Sequence, residues 1–71
     1  MNRLYVWGLA ENVKYSLLRG HLGDWLKAEA IPAQWTPRLH GWCVRTERVG
    51  DLIARAEHAG YQVRMRGVLP R

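Results

Sequence analysis

The sequence predicts an α+β fold: a two-layer sandwich of order βαββαβ, with a four-stranded antiparallel sheet and two helices on one of its faces. Three observations predict it. Short segments rich in Val, Tyr and Trp stand near both ends and in the middle of the chain, and stretches of helical spacing lie between them. With 71 residues, 48% of them hydrophobic and four of them tryptophan, the chain has apolar surface for one core and too little length for two. The expected division is a single domain over residues 1–67 and a loose C-terminal tail over residues 68–71.

Arg3-Leu4-Tyr5-Val6-Trp7, ending at Gly8, reads as the first strand, with Tyr5 and Trp7 on one face and Leu4 and Val6 on the other. From Asn12, an N-cap by residue type, Val13, Leu17, Leu18, Leu22, Trp25 and Leu26 recur at helical spacing until Pro32 forbids continuation. This is the first helix, or two shorter ones if Gly20 and Gly23 break it. Ala33 to Val44 carries two tryptophan-bearing stretches around Thr36-Pro37 and Gly41, the pattern of a β-hairpin. Thr46 is placed to cap a second helix, with Glu47 in its first turn, Val49, Leu52, Ile53, Ala56 and Ala59 along one face, and Gly60 at its end. Tyr61 to Arg66 alternates strictly, Tyr61, Val63 and Met65 against Gln62, Arg64 and Arg66, as a half-buried strand does.

Right-handed crossovers would put both helices on one face of such a sheet and leave the other open. With Leu4, Val6, Val63 and Met65 toward the helices, the open face collects Arg3, Tyr5, Trp7, Gln62, Arg64 and Arg66, with Arg45 joining from the third strand. Eleven basic residues against six acidic ones give a net charge of +5, and arginine outnumbers lysine nine to two. Such a charge attracts polyanions, although it also serves simply to keep a small domain soluble. Arginines neutralise phosphates and aromatic rings stack bases, so the expected partner is single-stranded RNA or DNA. The alternative is a protein partner or a homodimer, using the same face or the exposed edge of the fourth strand.

Leu4-Tyr5-Val6-Trp7-Gly8-Leu9 resembles the first-strand signature of RNA-recognition motifs, a family of ferredoxin-like βαββαβ domains, and the resemblance implies that Tyr5 stacks a base. The family's third-strand signature is half met by His40-Gly41-Trp42-Cys43-Val44-Arg45, with Val44 where the second stacking aromatic belongs. That pattern would put Trp42 and Val44 on the open face, whereas alternation puts Arg45 there. Over residues 22–65, Trp35-Thr36-Pro37 through Trp42 and on to Gly60-Tyr61-Gln62-Val63 is similar to the tryptophan hairpin of HARP-like modules, which implies recognition of DNA structure. Two tryptophans seven apart equally make a packing pair in any hairpin.

No enzyme chemistry is expected. Of the ligand types His21, His40, His58 and Cys43, only His40 and Cys43 are close in sequence, and on a strand they point to opposite faces. Cys43 within an apolar strand reads as an inert thiol, and the six acidic residues fall on predicted helices or their ends. Gly20 and Gly23 do not follow a strand as a phosphate-binding turn requires, so no nucleotide cofactor and no small-molecule substrate is implied. The longest apolar run, Leu4 to Ala10, is too short to span a membrane, and the basic, leucine-rich first helix is explained by the core it must cover. A lone cysteine suits a reducing compartment, and the expected location is the cytoplasm.

Overall fold

The computed structural model describes residues 2–70. Five strands and two helices follow in the order β1 (Arg3–Leu9), β2 (Tyr15–Arg19), α1 (Gly23–Ala28), β3 (Gln34–Thr36), β4 (Gly41–Arg45), α2 (Val49–His58) and β5 (Gln62–Leu69). Short 3-10 turns, Pro37–Leu39 and Thr46–Arg48, precede β4 and α2. The strands form one mixed sheet of order β3-β4-β2-β1-β5, antiparallel throughout except that β5 runs parallel to β1. The α+β class and the placement of both helices on one face hold, but the four-stranded antiparallel sheet in βαββαβ order is incorrect. An extra strand, β2, stands where the first half of the long helix was expected. It reverses the chain once more before the first helix, so β5 arrives parallel to β1.

The error has a physical cause. Leu17 pairs with Trp7 and Cys43, while Leu18 pairs with Val6 and Trp42, so the two leucines point to opposite faces, and both are fully buried. A strand covered on both sides carries consecutive apolar residues rather than alternating ones, and Leu17-Leu18 satisfies helical spacing equally well. Asn12 caps no helix; its Oδ1 accepts the Lys14 N–H at 3.1 Å in the turn that leads into β2. What remains of the helix, Gly23–Ala28, is six residues long. It is held by packing, with Leu22 and Leu26 buried against Leu4, Val6, Leu18 and Val44 of the sheet.

The hairpin expected over Ala33 to Val44 forms, with Trp35 opposite Trp42 and the Pro37–Leu39 turn at its tip. Gly41 opens β4 where only a bare Cα fits: a Cβ there would lie 2.7 Å from the Leu18 carbonyl oxygen and 2.8 Å from Leu17 Cδ1. Thr46 does not cap α2, which begins at Val49 without a side-chain cap. Instead the Thr46 hydroxyl donates to the Val13 carbonyl oxygen at 2.9 Å and lies 2.9 Å from Ser16 Oγ, the buried hydroxyl of β2. Val49, Leu52 and Ala56 are buried as the helical spacing predicts, whereas Ala59 is exposed.

Two readings of the C-terminal segment need correction. Met65, expected to face the core, is 67% exposed: β5 is an edge strand, and on this face Tyr61 and Val63 pack against the buried cluster while Met65 does not. The segment expected to be a loose tail instead extends β5 to Leu69, with Val68 opposite Gly8 and Leu69 opposite Leu9, so the boundary at residue 67 falls inside a strand. The strand continues across a β-bulge in which Arg66 and Gly67 stand against Trp7 alone, with Gly67 at φ +95 where L-residues are strained. Arg71 lies outside the described residues. Among the described residues no helix is long and apolar enough to cross a membrane.

Candidate nucleic-acid interface

Strand pairing fixes which side chains share the face opposite the helices. Across the sheet from β5, one row holds Gln62 and Arg3, the next Arg64, Tyr5 and Arg19, the next Arg66, Trp7, Leu17 and Cys43, and beyond it Leu69 pairs with Leu9 and Tyr15 with Arg45. Among the described residues every arginine carried by a strand, Arg3, Arg19, Arg45, Arg64 and Arg66, therefore projects from this one face. None of the six acidic residues lies on a strand: Glu11 is in the β1–β2 loop, and Asp24, Glu29, Glu47, Asp51 and Glu57 belong to the helices, their ends or the turn before α2.

The arginines lie over the aromatics. The Arg19 guanidinium is 5.5 Å from the centroid of Trp7, Arg66 is 5.9 Å from both Trp7 and Tyr5, and Arg45 is 5.8 Å from Tyr15, all within cation–π range. Arg19 has a second task, since its Nε and Nη2 donate to the Leu39 carbonyl oxygen at 3.2 and 2.8 Å and anchor the 3-10 turn over the sheet. Arg3, Arg45, Arg64, Arg66 and Gln62 are exposed, and Tyr5 and Trp7 are half-buried. The indole Nε1 of Trp7 is enclosed and has no acceptor among the described residues.

The face is thus less open than the sequence suggested. The Pro37–Leu39 turn and the β1–β2 loop fold over its β2–β4 side and are joined by an ion pair between Arg38 Nη2 and Glu11 Oε1 at 2.8 Å. Beneath them Leu17 is sealed from solvent and Leu9 nearly so. No family model, curated protein or solved structure matches the chain.

All seven residues singled out from the sequence, Arg3, Tyr5, Trp7, Arg45, Gln62, Arg64 and Arg66, stand on this face. Six of them gather on β1 and β5; Arg45 lies apart, beyond β2. The sequence reading missed Tyr15 and Arg19, which a helix assignment had hidden, although Tyr15-Ser16-Leu17-Leu18-Arg19 places Tyr15, Leu17 and Arg19 in period-two register. The register implied by the RNA-recognition-motif resemblance does not hold on β4: Val44 is in the helix-side core, Trp42 packs against it, and Arg45 points the other way. Trp35 and Trp42 form an edge-on pair with centroids 5.3 Å apart on the helix side. Among the described residues no three metal-ligand side chains converge.

Proposed function

We propose that the chain is a nonenzymatic binding module for single-stranded nucleic acid, RNA or DNA, acting through the arginine and aromatic face of the sheet. The observation that carries this reading is the segregation of charge among the described residues: all five strand arginines on one face, and no acidic residue on any strand. Mere solubility would be served by mixed charge on every side. A guanidinium stacked on an aromatic ring offers its outer surface to a base and its edge donors to phosphate. A lone Cys43 fits a reducing compartment such as the cytoplasm.

The test is a titration followed by tryptophan fluorescence, using a short polypyrimidine single strand, with a duplex as control, across a range of salt. If the four exposed arginines each neutralise one phosphate, log K should fall against log salt with a slope of about −3. No response at low salt would overturn the proposal. A second reading, a protein partner paired along the edge of β5, is favoured by one observation: Met65 and Val68 stand 67% and 63% exposed there. Binding to a protein that survives nuclease and high salt would select it.

A further inference from the structure

We propose that the cleft beside Tyr15, between the β1–β2 loop and the Pro37–Leu39 turn, seats one nucleobase of the bound strand, with the Gln34 carboxamide reading its edge. This rests on the nucleic-acid reading above and assigns that interface a base-selective subsite.

The cleft has a volume of about 420 Å³, and its walls include Leu9, Tyr15, Gln34, Thr36, Leu39 and Cys43. Leu9, Leu39, Tyr15 and Cys43 supply an apolar lining, and the charges that line it among the described residues, Arg38 and Glu11, neutralise each other. It is therefore a neutral, amphipathic hollow set into a cationic face. A phosphate has no net positive charge to meet there, and its desolvation would be uncompensated. A base, flat and uncharged with hydrogen-bonding edges, suits both the lining and the volume.

The surroundings supply the rest of a nucleotide site. A second depression of about 310 Å³ shares Tyr15, Gln34 and Cys43 with the cleft and adds Arg45, whose guanidinium lies on the Tyr15 ring. A base in the cleft would thus have a cation beside it for its phosphate. The next row, with Arg66 and Trp7, lies two residues further along the strands, roughly 7 Å away. Within the cleft wall the Thr36 hydroxyl is engaged with Cys43 Sγ and the Gln34 carbonyl oxygen, and Asn12 Oδ1 with the Lys14 N–H. The exposed Gln34 carboxamide offers a donor and an acceptor side by side, which matches the paired groups on a base edge.

The experiment compares affinities for single-stranded homopolymers of equal length, wild type against Gln34→Ala and Arg64→Gln, each across a salt series. Wild type should favour one base by about five- to a hundredfold, the range of a bidentate contact. Gln34→Ala should level that preference and leave the salt slope unchanged, whereas Arg64→Gln should make the slope shallower by about 0.7 and leave the preference intact. Salt-dependent binding with no base preference, or a preference that survives Gln34→Ala, overturns the cleft assignment while the interface stands. Failure of every strand to bind overturns both.

Discussion

Substituting Leu17 by alanine separates a sheet with one covered face from a sheet whose central strand is covered on both. Leu17 projects from the arginine-bearing face, away from the helices, yet it is 0% exposed, as is Leu18 on the helix side. Deleting a fully enclosed leucine side chain costs about 2–5 kcal/mol, the lost transfer energy plus the cavity left behind. In a domain of this size each kcal/mol moves the midpoint by about 4–8 °C, so Leu17→Ala should lower Tm by about 8–40 °C. Leu18→Ala should cost a similar amount. Val13→Ala, in the preceding loop at 77% exposure, should stay within about 0.5 kcal/mol of wild type. Thermal unfolding by circular dichroism reads all three. Should Leu17→Ala not fold, urea unfolding of Leu17→Val, with an expected loss of about 1 kcal/mol, reads the same site more gently. If Leu17→Ala matches Val13→Ala while Leu18→Ala is strongly destabilised, the roof over this face does not exist, and the cleft it encloses goes with it.

Other consequences are equally specific. Ala30 holds φ +54 directly after the C-cap of α1, so Ala30→Gly should relieve left-handed strain and raise stability by up to about 1 kcal/mol; a lower Tm would contradict the backbone described for that turn. Gly41→Ala should destabilise by about 1–3 kcal/mol in urea titrations, because its methyl group would meet Leu18 O and Leu17, and a neutral effect would mean β4 does not approach β2 so closely. Thr46→Val should cost more than Ser16→Ala, about 1–3 against about 1 kcal/mol, since the first leaves the buried Ser16 hydroxyl without its partner while the second removes that hydroxyl; the reverse order would show that the two are not paired.

What could be read from the sequence follows from how local each signal is. Alternation in Arg3 to Trp7 and in Tyr61 to Arg66 needs only neighbouring residues, and it placed Tyr5, Trp7, Arg64 and Arg66 on one face without any knowledge of strand order. The spacing of Val49, Leu52 and Ala56 marks α2 for the same reason. The roof over Leu17 is not local: it depends on Arg38 meeting Glu11 and on Arg19 holding Leu39, contacts between residues twenty or more apart. Without that roof a buried leucine on the second face has no explanation, and a helix becomes the simpler account of Leu17-Leu18. The same long-range contacts decide the end of β5, since Val68 and Leu69 are ordered by pairing with Gly8 and Leu9 rather than by any pattern of their own.

The misassigned strand bears directly on the interface. Had residues 15–19 been helical, Tyr15 and Arg19 would have left the sheet, and Arg45 would have stood on β4 without an aromatic partner. With β2 in the centre, Arg19 joins Arg66 over Trp7, and Arg45 acquires Tyr15, so the arginine and aromatic pairs run from β5 to β4 rather than stopping at β1. Charge placed this regularly has a cost, because five like charges on one face repel one another. Lying over aromatic rings stabilises guanidinium groups in part, by about 0.5–1 kcal/mol each at exposed sites, and a polyanion bound across the face would offset the rest. Raising salt should therefore stabilise the free protein while weakening its complex. Opposite signs of the two salt dependences, measured on one sample by thermal unfolding with and without an oligonucleotide, would tie the repulsion to the ligand that relieves it; a free protein indifferent to salt would sever that link.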